Sequence, residues 1–283
     1  MIDMLTDPFL QFAFMRRALG AAFALSIGAA PLGVFMMLRR MTLAGDALAH
    51  AILPGIALGF LAAGLSLSAM TIGGIIAALA VGLAAVILTR FTQLKEDSAF
   101  TLLYLLSLSI GVILLSINAG NLNLTHILFG NILGIDQDAL WLISGVSILS
   151  LFTLAGFYRY FVIDGLDPAF LGSMGRQRHG LTNGLFFSLL MLNLVTAFQA
   201  MGTLMALGLM ILPAIGSRFW SHNIDRILPL SIGFALVSSY TGLLLSFYIS
   251  LPSGPAIVLV AGLIGLFSAL FGPLGSLRDY LRG

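Results

Sequence analysis

The chain contains no cysteine. It can hold neither a disulfide nor a thiolate ligand, so any transition-metal site must draw on imidazole, carboxylate, thioether or carbonyl groups. Charge is almost as scarce: 8% of the 283 residues are Asp, Glu, Lys or Arg, against about a quarter in an average soluble domain. Lysine occurs once, at Lys95, followed by Glu96 and preceded by no glycine. A phosphate-binding loop ending in Lys-Ser/Thr is therefore absent, which excludes nucleotide hydrolysis of that type by this chain. The first 15 residues carry Asp3 and Asp7 but no basic residue, a poor start for a cleaved secretory signal, so residue 1 is expected to open the mature chain. No repeat at a solenoid period and no low-complexity tract is visible. A net charge of +2 is too small to suggest a nucleic-acid partner.

What fills the chain is apolar: 59% of residues are hydrophobic and the mean hydropathy is +1.08. Uncharged runs cover 18–38, 47–89, 98–135, 139–158, 179–217 and 227–277. A bilayer crossing takes about 20 residues, so the second, fifth and sixth runs each fit two crossings and the others one. The sequence thus predicts a single transmembrane domain over 1–283, all-α, a polytopic bundle of nine spans, or eight if one helix is partial. Turns are expected at 63–68, 199–202 and 250–254, where glycine, proline and polar residues cluster. The second half of the third run, from Asn118 to Ile135, carries four asparagines and His126 and reads as a short interfacial or re-entrant helix. With the carboxyl terminus inside, all 13 basic residues except Arg16 and Arg17 fall on the cytoplasmic side. That places the amino terminus outside.

The most informative stretch runs from Leu38 to Gly55. Asp46 and His50 are four residues apart, so a helix puts a carboxylate and an imidazole on one face, one turn from each other. This is a two-point clamp whose oxygen and nitrogen donors suit zinc, manganese or iron(II). Ionisable groups inside a span are costly and commonly line a pathway. The alternative from spacing alone is that Asp46 caps a helix and His50 bonds a neighbouring backbone. Gly45 and Pro54-Gly55 permit close packing or a local break. Farther on, Asp167-Pro168 opens a short helix in the segment 164–178, with Asp167 as its cap; a solvated loop is the other reading.

The segment Gly45-Asp46-Ala47, His50 and Leu53-Pro54-Gly55, behind the arginine-bearing turn 39–40, resembles the signature of the metal-importing ABC permease family. Lys95-Glu96-Asp97-Ser98-Ala99, Leu124 to Asn131, Leu209 to Ala214 and Leu251 to Leu259 resemble further landmarks in that family's order, from about residue 12 to 275. The resemblance implies a fold of the cobalamin/siderophore-importer type of ABC permease in the bacterial inner or plasma membrane. It also implies uptake of a divalent metal ion, with a slight lean to manganese. No cofactor would be bound permanently; the ion is cargo, and ATP belongs to a partner. Asp46 and His50 would coordinate the travelling ion, with Met37 as a neighbour or else a packing residue. His126, on the outer side, would meet an arriving ion or a delivery protein, or serve as an interfacial group. Asp167, Pro168, Ala169, Phe170, Leu171, Gly172, Ser173, Met174 and Gly175 would form the coupling helix that docks on the motor. The implied partners are two copies of an ABC ATPase, an extracytoplasmic metal-binding protein, a second copy of the chain, and membrane lipid. An intramembrane metal-dependent enzyme fits less well, because catalytic zinc usually has three protein ligands. An ATP-independent carrier would show transport without ATP.

Overall fold

Inside a bilayer the backbone has no water to bond, so a spanning chain must pair its own N–H and C=O groups. The computed structural model describes residues 2–64, 66–92, 96–118, 132–173 and 176–275, and among them every regular element is helical. In chain order these are α1 (Ile2–Gln11), α2 (Ala13–Leu38), α3 (Thr42–Ala51), α4 (Leu53–Ala63), α5 (Leu67–Phe91) and α6 (Glu96–Asn118). After a 3-10 turn at Ile132–Gly134 come α7 (Gln137–Gly156), α8 (Tyr158–Leu166), α9 (Pro168–Ser173) and α10 (Arg176–Met201). The chain continues through α11 (Thr203–Arg218), α12 (Ile224–Ile249) and α13 (Ser253–Phe271). Among the described residues six helices are long and apolar enough to cross a membrane: α2, α7, α12, α13 and the apolar parts of α5 and α10. Three shorter apolar helices, Leu53–Ala63, Thr101–Leu114 and Thr203–Arg218, accompany them.

The turns fall where glycine and proline predict them, between Ala63 and Leu67, at Gly202, and between Ile249 and Ser253. Gly64 and Gly202 adopt positive φ, which glycine does without steric cost. The first span differs from its uncharged run. Helix α2 begins at Ala13 and includes Arg16 and Arg17, both exposed, because a long side chain can stay in a helix and turn its head toward polar groups. Arg16 does so by donating to the Leu10 carbonyl at 2.9 Å. The re-entrant helix expected after Asn118 lies largely outside the described residues.

Helix α2 is the hub. Of its apolar window 72% is buried, against 17% for that of α5, so α2 is enclosed by other helices while α5 turns most of its surface outward. Helices α7, α11 and α12 pack around α2, and α13 closes on α11 and α12. A second group, α3 to α6, joins the hub through α10 and α11. Since lipid is as apolar as leucine, such helices gain by close packing and by hydrogen bonds across the interface. Ser26 and Ser239 share a hydrogen bond at 3.1 Å between α2 and α12, and Asn193 on α10 donates to Ser150 on α7 at 2.6 Å. Tyr158 on α8 donates to Asp225 at the start of α12; burial first, then this bond and charge, push the phenol up to about 12.

A backbone-to-backbone contact joins α4 to α5. Gly55 and Gly73 face each other so closely that a Cβ on either would overlap the other's carbonyl oxygen. One turn on, Gly59 lies against the Ala69 backbone. Replacing Gly73 by alanine is expected to cost about 1–3 kcal/mol through overpacking, measured as a lower thermal midpoint of the detergent-solubilised protein. Gly184→Ala, with no atom within 4 Å of the added carbon, should leave that midpoint unchanged or slightly raised.

Candidate functional site

The site begins with a turn. Helix α2 ends in a hydrogen-bonded reversal in which the Arg40 N–H bonds the Met37 carbonyl at 3.1 Å and the Met41 N–H reaches back to Met36 at 2.9 Å. This pattern needs a left-handed residue between the two, and Arg40 supplies it with φ of 57°. Glycine is the usual choice; a side chain there costs about 1–2 kcal/mol. The reversal leads directly into α3, whose second turn carries Asp46 and whose last turn carries His50. The helix therefore carries these two residues four positions apart, one turn from each other along its axis.

Helix α3 stops at Ala51 and α4 starts at Leu53, so the helical path from 42 to 63 is broken just past His50. Pro54 is one cause, since it has no N–H to offer the His50 carbonyl four residues back. The Gly55 N–H bonds Ile52 rather than Ala51. The Ala51 carbonyl is instead served by the Ser107 hydroxyl of α6, buried, at 2.9 Å. Helix α6 can approach because Gly111 sits against Leu53 and the Pro54 nitrogen, where a Cβ would be too close. On the same helix the Tyr104 ring lies beside the half-buried His50, with centroids 6.3 Å apart. Tyr104 and Ser107 are three residues apart, on one face, and their polarity in an apolar run was the signal available in the sequence.

The other candidates are distributed as follows. It is Met36 whose methyl group packs on Gly45 of α3. Met37 lines a cavity of about 760 Å³ together with Arg39, Arg40, Asp164, Asn183 and Arg218. His126 lies outside the described residues, as do Met174 and Gly175. Among the described residues no group of three or more His, Asp or Glu gathers. Pro168, Ala169 and Gly172 belong to α9, and the Asp167 carboxylate accepts from the Phe170 N–H at 3.0 Å, so the helix is capped as the Asp-Pro pair predicts. Ser173 closes it by donating to the Phe170 carbonyl at 2.7 Å. Leu171 is fully buried and anchors α9, while Phe170 and Leu166 are 53% and 64% exposed and project an apolar pair.

One constellation was not anticipated. The Arg39 guanidinium makes an ion pair with Asp164 of α8, the two side chains being 5% and 3% exposed. It also donates to Asn183 of α10 at 2.8 Å and lies 3.9 Å over the Phe186 ring. Burial lowers the arginine's pKa from its ordinary value, and the adjacent carboxylate works against that. In the sequence Arg39 reads as a topology anchor and Asp164 as one acid among loop residues.

An apolar helical bundle with six helices fit to cross a membrane among the described residues, a helix broken just after His50 and a short capped helix has the build of a multi-pass membrane permease. The chain belongs to the ABC 3 transport family, whose pattern matches residues 11–272. It is 31% identical over 269 residues to the manganese transport system membrane protein MntC of Listeria innocua, covering 94% of both chains. It is 32% identical over 277 residues to the manganese import system permease protein ScaB of Streptococcus parasanguinis, covering 96% of each. The solved structure of PsaBC from Streptococcus pneumoniae in complex with Fab superposes with a TM-score of 0.88 at 30% identity, over 100% of this chain and 99% of that one. The chain is thus a multi-pass protein of the cell membrane, and its relatives are transport permeases.

Ser107→Ala would leave the Ala51 carbonyl buried without its donor. A loss of about 1–3 kcal/mol is expected, read from thermal unfolding in detergent, with Ser107→Thr retaining most of the stability because it keeps the hydroxyl.

Proposed function

We propose that the chain is the membrane-spanning permease subunit of an ATP-driven importer of divalent transition metal ions, manganese foremost. The observation that carries this reading is the Asp46/His50 pair on a helix that breaks immediately after it, in a chain whose relatives bear the names of manganese permeases. Broken helices near the bilayer midplane are where transporters hold ions, because freed carbonyls and polar side chains line a protected cavity there. At 1.5 Å per residue Asp46 lies about 6 Å and His50 about 12 Å along α3 from Thr42. With a hydrocarbon core about 30 Å thick, the imidazole reaches toward the middle.

The three short apolar helices supply crossings beyond the six long ones if α3 and α4 together make a single span, which gives nine. Arg39, Arg40 and Arg218 line one cavity, as residues on a shared cytoplasmic face would. In this orientation α9 also faces the cytoplasm. Its exposed Phe170, with Leu166, offers apolar surface to a groove on an ATPase, while buried Leu171 ties the helix to the bundle. Two copies of the chain form the path, so that paired Asp46 and His50 residues supply up to four donors. Two ATPases drive it, and an extracytoplasmic protein delivers the metal. ATPase closure shifts α8 and α9, tilts α3, and changes the side toward which the ion can leave. Met37 and His126 stand as secondary contacts of the ion along this route.

In a metal-starved, transporter-deficient strain, Asp46→Ala and His50→Ala are expected to abolish restored uptake while inserting at normal levels. Uptake at the wild-type rate by either variant would overturn the assignment. Phe170→Asp should lower co-purification of the ATPase severalfold and leave the thermal midpoint of the isolated permease unchanged, since the ring is exposed.

A further inference from the structure

We propose that the buried Arg39–Asp164 ion pair is the strut through which motion of the coupling helix reaches the helix bearing Asp46 and His50. The proposal rests on the reading of the chain as an ATP-driven permease and adds the pair of positioning residues that reading lacks. Asp164 sits three residues before Asp167, the cap of α9, so it rides on the same short structure that would meet the motor. Arg39 sits at the other end of the route. It caps α2 and is separated from Thr42, the first residue of α3, only by Arg40 and Met41.

Two features make this link stiff. The turn after Arg39 is closed by two backbone hydrogen bonds and holds Arg40 in the left-handed region, so little slack separates Arg39 from α3. The guanidinium is also held from a third side, by Asn183 at 2.8 Å and by the Phe186 face at 3.9 Å, both on α10. Helix α10 packs against α9 and against α3 as well. One side chain thus joins the end of α2 to both elements that flank the coupling helix.

The energetics argue against a purely structural purpose. A buried ion pair is seldom more stable than well-packed apolar residues of the same volume, because desolvation offsets the attraction. What it provides is resistance to separation: parting the two would strand a charge out of water. Apolar side chains in the same place could slide past one another as α8 shifts. The ion pair obliges Arg39 to follow Asp164.

The test uses the complete permease–ATPase complex in proteoliposomes, measuring manganese uptake and ATP hydrolysis in the same vesicles. The apolar double variant Arg39→Met/Asp164→Leu is expected to keep its thermal midpoint and its ATPase, yet transport at least tenfold less metal per ATP hydrolysed. The reversed pair Arg39→Asp/Asp164→Arg should recover part of that ratio relative to either single substitution. If the apolar pair fails to insert, Asp164→Asn, which keeps the shape and removes the charge, is read in the same way. An unchanged metal-to-ATP ratio in a folded variant without the ion pair overturns the strut and leaves the permease reading intact. Failure of the wild-type chain to associate with any ATPase overturns both.

Discussion

The exclusion of water from the bilayer interior governs this molecule more than any single contact. A backbone carbonyl that loses its helical partner there has to find another within the protein. Helices satisfy the rule along their length, and among the described residues the chain departs from them at turns and at the Ile52 break. The break at Ile52 is the informative departure. Pro54 withholds one donor, Gly55 redirects another, and Ser107 of α6 takes up the Ala51 carbonyl. The irregular backbone at Ile52 is thus tolerated because a neighbouring helix is close enough to repair it. That closeness depends in turn on Gly111, which lets α6 lie against the junction.

Charge follows the same logic. The ionisable side chains that enter the described bundle are few, and each has a local reason to be there. Arg39 and Asp164 neutralise each other with help from Asn183 and the Phe186 ring. Arg40 and Arg218 share a cavity wall near a bundle end, and Arg16 folds back on the Leu10 carbonyl. The Asp46/His50 pair is different in kind, since it stands on a helix that is interrupted one residue after its last full turn.

Much of this architecture is legible in the sequence because it is encoded locally. Glycine at 64 and 202 and the Ser250–Gly254 cluster mark the turns, and Asp167-Pro168 announces a capped helix at the residue where it starts. The i,i+4 spacing of Asp46 and His50 needs only helical periodicity to be read. What escaped is long-range or depends on conformation. Nothing near Arg39 says that its partner lies on α8, and nothing near Ser107 says that a carbonyl on α3 awaits it. Arg16 and Arg17 look like a boundary because counting charges ignores the reach of an arginine stem. Arg40 in a left-handed turn runs against residue preference, and such exceptions are settled by the tertiary structure around them.

The contact between Gly55 and Gly73 sets which parts of the bundle can be displaced. There the two chains touch main chain to main chain, and α4 cannot glide along α5 without a carbonyl climbing over an α-carbon. At Gly45 the neighbours are side-chain tips, the Met36 thioether and, farther off, a Leu207 methyl, and the thioether can swing aside. The segment 42–63 thus meets its neighbours through main-chain contact at Gly55 and Gly73 beyond Ile52, and through a flexible thioether at Gly45 before it. Any rotation of that segment about Ile52 would move the α3 residues Asp46 and His50 relative to the glycine seam.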